Sequence, residues 1–260
     1  MVYKEVLLQI EAWAREAGAI QMAHFRKNSL VIEAKSTQVD LVTEADKKSE
    51  EFILNAIKDT YPMHSILSEE TGMTDKESEY EWVVDPLDGT TNFAQGIPVF
   101  AVSIALKYSG ESVVGVVYNP VLDEMFTASK GGGAYLNGKK ISVGVKEELR
   151  SCVLASGFPY NRAETDDNNS VHFAHMVPKV RGLRRLGAAA YDLANVAAGI
   201  MDGYWELGLG AWDIAAGVLL VKEAGGVILE WPGKREFAIV AGNEVIANLI
   251  KEELRSAEGN

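Results

Sequence analysis

The stretch 85–93 holds the densest group of residues that could bind a metal and a phosphate, and it reads DPLDGTTNF. The apolar run before it predicts a buried strand that delivers Asp85 at its end, and Pro86 predicts a turn there because proline cannot donate to a sheet. Asp88 can then point back at the same place, and Gly89 lets the backbone approach a ligand closely. Carboxylate oxygens are ligands that Mg2+ prefers, so the stretch predicts a magnesium site.

Thr90 and Thr91 fit the first turn of a helix, where free N–H groups bind phosphate. A simpler interpretation of the same stretch is a tight turn in which Asp88 or Thr90 only caps a helix, since Asp, Pro and Gly are common turn formers. Two acids, a glycine and two threonines directly after an apolar strand favour the metal and phosphate interpretation.

Three further acidic groups lie at predicted element ends, and each also has a structural explanation. Asp213, in the run WDIAAG, opens an amphipathic helix, where an Asp is a common N-cap. Glu69, in the run SEE, follows a strand-like segment, where paired acids usually form a solvated turn. In the run 40–46, DLVTEAD, Thr43 and Asp46 resemble a capping box at a helix start. Spacing alone leaves open whether these acids converge on one site.

The elements that must position these residues mix helices, strands and meanders. Hydrophobic periodicity predicts helices near 3–25, 44–57, 191–198, 213–224 and from 244 onward. It predicts strands near 64–67, 82–84, 153, 204–207, 227–229 and 237–240, with an antiparallel meander over 100–129. This mixture predicts a layered α+β fold with mixed, largely antiparallel sheets. We expect one compact unit with two halves, residues 1–145 carrying most candidate metal ligands and residues 146–260 carrying Asp213.

The composition and net charge limit the kinds of molecule that the protein is expected to bind. The chain has 260 residues, 47% of them hydrophobic, and a formal net charge of −12, which opposes non-specific nucleic-acid binding. We expect no membrane span and no signal peptide, and therefore a cytoplasmic protein. The single cysteine, Cys152, lies in an apolar run and is expected in the core. None of the histidines lies in a motif; we expect His24 and His64 to be structural and His172 and His175 to lie at the surface.

Taken together, these motifs resemble the inositol monophosphatase family. The run WVVDPLDGTTNF at 82–93 resembles the family's first signature, and WDIAAG at 212–217 resembles its second. The resemblance covers nearly the whole chain in order and includes the runs DLVTEAD at 40–46, SEE at 68–70, GGGAYLNG at 131–138, GFPY at 157–160 and EAGG at 223–226. It implies an αβαβα layered sandwich, a homodimer and inhibition by lithium.

The resemblance also implies roles for individual residues. Two to three Mg2+ ions would be held by Glu69, Asp85, the Leu87 carbonyl, Asp88 and Asp213. The phosphate would accept hydrogen bonds from Gly89 and Thr90. A metal-activated water would attack phosphorus in line, with Thr90, Asp46 and Glu69 as the catalytic residues.

The same resemblance places the substrate ring. It would lie against Glu206 and the segment Gly187-Ala188-Ala189, with Asp88 and Asp213 near its hydroxyls. Relatives often carry Ser or Thr where Ala188 stands, so one hydroxyl contact is missing from this chain. This departure bears on substrate identity and leaves the metal ligands untouched.

Several functions compete at this point. The main expectation is hydrolysis of myo-inositol 1-phosphate, with fructose 1,6-bisphosphate or a nucleotide 3′-phosphate as alternatives. Arg184 and Arg185 could bind a second phosphate, or they could be solvated or paired with nearby acids. A regulatory, protein-binding role on the same scaffold is the non-enzyme alternative. Retention of every candidate metal ligand and of Thr90 favours catalysis.

Overall fold

The computed structural model describes residues 3–27, 32–34, 41–231 and 237–258. Asp40, the first residue of the DLVTEAD run, lies outside the described residues. Among the described residues the α-helices are α1 Tyr3–His24, α2 Glu44–Thr60, α3 Thr90–Ala94, α4 Ser170–Met176, α5 Ala189–Ala197, α6 Ala211–Glu223 and α7 Glu244–Glu258. Short 3₁₀ helices occur at Leu149–Ser151 and Val177–Lys179.

The first large sheet has the strand order β10-β9-β8-β7-β6-β5-β3-β4. It is antiparallel except where β3 runs parallel to β5. Its strands are β3 Ser65–Ser68, β4 Gly72–Thr74, β5 Tyr80–Asp88, β6 Ala101–Tyr108, β7 Glu111–Asn119, β8 Glu124–Ser129, β9 Gly133–Leu136 and β10 Lys139–Lys140. A separate hairpin pairs β1 Ile32–Ala34 with β2 Leu41–Thr43.

The second large sheet is mixed and has the order β12-β11-β13-β15-β14. Its strands are β11 Val153–Ser156, β12 Gly182–Arg184, β13 Gly203–Glu206, β14 Val227–Glu230 and β15 Ile239–Gly242. The first sheet therefore ends at Lys140 and the second begins at Val153. A division of the chain at 145/146 lies between them and stays a proposal.

The layers follow from the helix contacts. Helices α1 and α2 pack on one face of the first sheet, while α5 and α6 pack between the two sheets. Helix α7, with α4 against it, covers the outer face of the second sheet. Each interface has its own apolar core, and the central one is formed largely by small side chains of α5 and α6, which lets both helices lie close to the sheets. The αβαβα layered α+β fold is confirmed.

Most predicted elements are confirmed, including the capping box in which Thr43 Oγ1 accepts from the Asp46 amide. Pro86 was wrongly expected to end its strand, because β5 continues to Asp88 through an irregular pairing. The expectation that His172 lies at the surface was also wrong. It is 6% exposed, because the ring packs edge-on against Trp231 from beyond β14. Cys152 is buried, as expected.

No helix in the described part of the chain combines the length and the apolar composition that crossing a membrane requires.

Candidate metal centre and substrate pocket

Asp85 and Asp88 are brought to one place by a bulge in β5. Asp85 pairs with Ser103 and Asp88 with Ala101, so β5 contains one more residue than β6 over this interval. In a regular strand, residues three apart point to opposite faces, and one extra residue returns the second carboxylate to the face of the first. The bulge is held by a hydrogen bond from the Leu87 amide to Asp85 Oδ1 at 3.0 Å.

Asp213 reaches the same place from the start of α6. The helix begins at Ala211 with Gly210 as its N-cap, so the expectation that Asp213 is the N-cap was wrong. Asp213 is the third helical residue, and its Oδ2 accepts from the Gly210 amide at 2.6 Å. Carboxylate oxygens of Asp85, Asp88 and Asp213 lie within 4.8 Å of one another. The structure thus brings together three acids that spacing alone did not connect.

Glu69 lies beside this group because β3 and β5 are neighbouring parallel strands. Ser68 pairs with Val84, and the Glu69 amide donates to the Val84 carbonyl at 3.2 Å. This places Glu69 next to Asp85, at the same end of the two neighbouring strands. Its charge is the largest contribution, after burial, to the raised pKa of Asp85.

The electrostatics of the acid group favour a bound cation. Burial, followed by the charges of Glu69, Asp88 and Asp213, raises the pKa of Asp85 well above its ordinary value. Burial also raises the pKa of Asp88 to about 7, although amide donors of α5 oppose the rise. Clustered, buried carboxylates repel one another, and a divalent cation relieves that repulsion through the hard oxygen ligands it prefers. The donor set therefore fits Mg2+.

Gly89 and Thr90 form the start of α3 next to the acids. Gly89 is the N-cap with a φ of 95°, and a Cβ there would lie 3.0 Å from the Val99 carbonyl oxygen. Glycine is therefore favoured at this position by both conformation and space. Thr90 Oγ1 lies 2.8 Å from Asp46 Oδ1 and 3.1 Å from the Leu87 carbonyl oxygen. The Thr90–Asp46 pair expected from the resemblance is thus in contact.

Asp46 is a buried acid at the start of α2. Its Oδ2 accepts from the Thr43 amide at 2.9 Å and from Thr43 Oγ1 at 2.5 Å. Burial raises its pKa, and the hydrogen bonds from Thr43 and Thr90 oppose that rise. The same carboxylate therefore caps the helix with one oxygen and contacts Thr90 with the other, so the structural and functional interpretations of Asp46 are compatible.

The segment Gly187-Ala188-Ala189 leads into α5 and lies against Asp88. The Ala189 amide donates to Asp88 Oδ1 at 3.0 Å, and the Tyr191 amide donates to Asp88 Oδ2 at 3.1 Å. The start of α5 thus holds both oxygens of a candidate metal ligand. A Cβ on Gly187 would lie 2.4 Å from Arg185 Nη1, so this arginine lies close over the segment.

Glu206 ends β13 and lies near Asp213 and Arg185. Its Oε2 accepts from the Tyr204 hydroxyl at 2.5 Å, and burial raises its pKa to about 7. A Cβ on Gly157 would lie 2.1 Å from Glu206 Oε1, so the GFPY run requires its glycine to leave room for this carboxylate. Asp213 contributes to the raised pKa of Glu206, so Glu206 lies close to the acid group.

Two residues near the site were not singled out from the sequence. Tyr160 lies on the loop after β11, where partial burial, followed by the charges of Glu69, Asp213, Asp85 and Asp88, raises the pKa of its hydroxyl. Asp192 is 1% exposed with Oδ1 lacking a hydrogen-bond partner among the described residues, and burial and Glu206 raise its pKa. Tyr160 did have a signal in the sequence, because it belongs to the GFPY run. Asp192 gave one as the one charged residue in the helix predicted over 191–198.

A separate cavity lies on the far flank of α6. Its volume is about 1370 Å3, and it is lined by apolar residues of α6 and β14 together with charged residues of α6, α7 and the neighbouring strands. It includes none of the candidate metal ligands, and its Lys130 is already paired with Glu111. Chemistry therefore assigns the functional site to the acid group, although that group does not line this cavity.

Known proteins are similar to this chain in sequence and in fold. Residues 3–258 match the model of the Inositol monophosphatase family. The chain is 45% identical over 221 residues to the inositol-1-monophosphatase of Mesorhizobium japonicum, covering 83% of each chain. It is 45% identical over 239 residues to the Nus factor SuhB of Pseudomonas aeruginosa, covering 88% of each. The inositol monophosphatase structure from Anabaena superposes with a TM-score of 0.88 at 39% identity, covering 98% of this chain and 97% of that one.

The match spans both sheets and every element that carries a candidate ligand, from the Glu69 turn to the start of α6. The acid group, the Gly89–Thr90 helix start and the Asp46 contact lie within it. The chain therefore belongs to the inositol monophosphatase family of metal-dependent phosphatases.

Proposed function

We propose that this protein is a Mg2+-dependent phosphomonoesterase that hydrolyses myo-inositol 1-phosphate to inositol and phosphate. The observation that carries the proposal is the convergence of Asp85, Asp88 and Asp213 within 4.8 Å, beside Glu69. These four carboxylates and the Leu87 carbonyl would hold two to three Mg2+ ions. When bound, the ions neutralise the phosphate and lower the pKa of water, which supplies the nucleophile.

The protein's own groups account for the remaining chemistry. The Gly89 and Thr90 amides bind the phosphate at the start of α3, where N–H groups have no helical partner. The Thr90 hydroxyl, in contact with Asp46, accepts the proton that the attacking water loses and passes its own to that carboxylate. Glu69 orients the same attacking water from the side opposite Thr90. Attack occurs in line with the ester bond that breaks, so positioning does most of the catalytic work.

The substrate ring lies between the start of α5 and β13. Glu206, Ala188 and the neighbouring backbone of Gly187 and Ala189 face it, and Asp88 and Asp213 lie near its hydroxyls. A ring that presents several hydroxyls suits this wall, because carboxylates and carbonyls accept hydrogen bonds from them. Ala188 offers no hydroxyl of its own, so specificity rests on Glu206 and the backbone.

Fructose 1,6-bisphosphate is a second candidate substrate, and the position of Arg185 favours it. Arg185 is exposed, and its guanidinium lies against Gly187. It also lies near Glu206 and Asp192, where its positive charge partly opposes the rise in their pKa values. A second phosphate at this rim would form a charge-assisted pair with it. Arg184 instead donates to the Leu183 carbonyl of its own strand at 3.0 Å. A nucleotide 3′-phosphate remains the third candidate.

A regulatory role through a protein partner is the non-enzyme candidate, since several similar proteins bear the name Nus factor SuhB. Retention of Glu69, Asp85, Asp88, Asp213 and Thr90 supports catalysis in this chain. We further propose a cytoplasmic homodimer that lithium inhibits. Recovery of a stoichiometric protein partner, without turnover of any phosphate ester, would favour the regulatory role instead.

The test is phosphate release from myo-inositol 1-phosphate, fructose 1,6-bisphosphate and a nucleotide 3′-phosphate, first with Mg2+ and then with a chelator. We expect turnover of the inositol ester that the chelator abolishes. The ratio of kcat/KM values ranks the substrates, and Arg185→Ala should lower only the bisphosphate rate if Arg185 binds a second phosphate. Release that is unaffected by the chelator would contradict the proposal.

A further inference from the structure

Helix α2 carries two buried acids, Asp46 and Glu50, one turn apart on the same face. Asp46 contacts Thr90, as described above. Glu50 is 4% exposed, although it is a charged residue type that is seldom buried without partners. Glu50 takes no part in the proposed mechanism, so its burial needs a different explanation.

Three donors reach one oxygen of the Glu50 side chain. Ser68 Oγ donates to Glu50 Oε1 at 2.5 Å, and the Thr71 amide donates to the same oxygen at 3.1 Å. Thr71 Oγ1 lies 3.3 Å away and donates as well. Ser68 ends β3, and Thr71 begins the step into β4. Glu50 therefore ties together the two ends of the turn that carries Glu69.

The turn is fixed from two sides. On the sheet side, the Glu69 amide donates to the Val84 carbonyl, directly before Asp85. On the helix side, Glu50 holds the residues that flank Glu69 and Glu70. A side chain on a short turn keeps its direction only if the turn itself is held, and hydrogen-bonded supports of ligating carboxylates commonly set metal affinity.

We infer that Glu50 is a positioning residue that sets the affinity of the metal centre by holding the turn that presents Glu69. The inference rests on the proposed function, because it takes Glu69 as a metal ligand. It assigns Glu50 no contact with metal or substrate. One face of α2 thereby supports both parts of the site, with Asp46 at Thr90 and Glu50 at the Glu69 turn.

The contacts define the informative variants. Glu50→Gln keeps an oxygen that accepts from Ser68 and Thr71, so it preserves the tie. Glu50→Ala removes the acceptor and leaves buried donors without a partner. Ser68→Ala and Thr71→Val each remove one hydroxyl while leaving Glu50 in place. Glu51→Ala, at an exposed position of the same helix, is the matched control.

The experiment is calorimetric titration of each full-length variant with Mn2+ alone and with Mg2+ alone, followed by thermal unfolding without metal. We expect Glu50→Ala to weaken metal binding roughly 10- to 100-fold, which is the usual effect of losing such a support. We expect Glu50→Gln and Glu51→Ala to bind within about threefold of the wild type, and Ser68→Ala to fall between. The metal concentration for half-maximal phosphate release should rise in the same order, with kcat at saturating metal changing far less.

The outcomes separate this inference from the proposed function. Wild-type protein that binds no divalent cation would overturn both. Wild-type binding that Glu50→Ala leaves unchanged, or a lower unfolding temperature without weaker metal binding, would overturn this inference alone. If Glu50→Ala does not fold, the metal affinities of Ser68→Ala and Thr71→Val provide the test. Unchanged metal affinity in both variants would overturn the inference about Glu50.

Discussion

Thr90 and Asp46 come from different helices and meet through a hydrogen bond of 2.8 Å between Thr90 Oγ1 and Asp46 Oδ1. Both residues are buried, at 7% and 0% exposure. The other Asp46 oxygen is held by Thr43, so the carboxylate cannot rotate away from Thr90 without losing its cap. A hydroxyl held this firmly beside the candidate phosphate site is suited to moving a proton.

Replacing Thr90 tests this proton path. Thr90→Val keeps the shape of the side chain and removes the hydroxyl, so we expect kcat to fall by roughly 10²- to 10⁴-fold, the usual contribution of acid–base catalysis. Thr90→Ser keeps the hydroxyl and should retain most of the rate. Steady-state phosphate release measures both variants. Near wild-type kcat in Thr90→Val would show that the Thr90–Asp46 contact is only structural.

Neutralising Asp85 tests the electrostatic account of the acid group. Asp85→Asn can keep the hydrogen bond from the Leu87 amide, yet it removes one of several charges that repel one another. We expect the metal-free variant to unfold at the same temperature as the wild type or at a higher one, whereas Mg2+ should stabilise only the wild type. Thermal unfolding with and without Mg2+ measures this. Equal stabilisation of both proteins by Mg2+ would contradict the assignment of Asp85.

The pH dependence of the metal-free protein provides an independent test. Burial raises the pKa of Asp88 and of Glu206 to about 7, above the unfolded values near 4. The folded state then binds more protons than the unfolded state between those values, so these groups lower stability as the pH rises from about 4 to about 7. We expect the free energy of unfolding of Asp88→Asn, relative to wild type, to increase across this range in chelator.

Urea unfolding of both proteins at several pH values gives that difference, and histidines and surface acids cancel because both proteins share them. Mg2+ should raise the free energy of unfolding of the wild type most strongly at high pH, where the carboxylates carry charge. A difference between the two proteins that stays flat from pH 4 to 8 would mean that Asp88 does not titrate as its surroundings require.

Gln21 on α1 tests how the bulge is supported. It is fully buried, and its Nε2 donates to the Pro86 carbonyl at 2.6 Å, between Asp85 and Leu87. Gln21→Leu leaves that carbonyl unpaired, and we expect a loss of about 1–3 kcal/mol in the free energy of unfolding together with weaker metal binding. Glu16→Leu, at an exposed position of the same helix, should change stability by less than about 0.5 kcal/mol. Equal effects from both substitutions would show that the hydrogen bond from Gln21 to Pro86 does not support the bulge.

Local patterns predicted the parts of the site that local interactions build. The Thr43–Asp46 capping box and the helix start at Thr90 involve residues within three positions of one another, so sequence spacing carries their geometry. The bulge in β5 was missed because it depends on the register with β6. The apolar strand and Pro86 alone suggested an end instead of an extra residue.

The supports of the site were missed because they are long-range. Gln21 and Pro86 are 65 positions apart, and Glu50 and Thr71 are 21 apart. Each did leave a trace, since Gln21 interrupts the apolar stripe of α1 and Glu50 lies on the buried face of α2. His172 was misplaced for the same reason, because Trp231, which covers it, lies far away in the sequence. Convergence of the acids required the family resemblance, which supplies tertiary information that spacing lacks.

Anomalous diffraction from crystals soaked in Mn2+ would show whether the acid group is a metal centre. We expect peaks about 2.0–2.3 Å from carboxylate oxygens of Asp85, Asp88 and Asp213, and at least one beside Glu69. In crystals of Asp88→Asn those peaks should weaken or vanish. Peaks confined to surface carboxylates elsewhere, or an acid group that stays empty while Mn2+ supports phosphate release, would show that this group is not the metal centre.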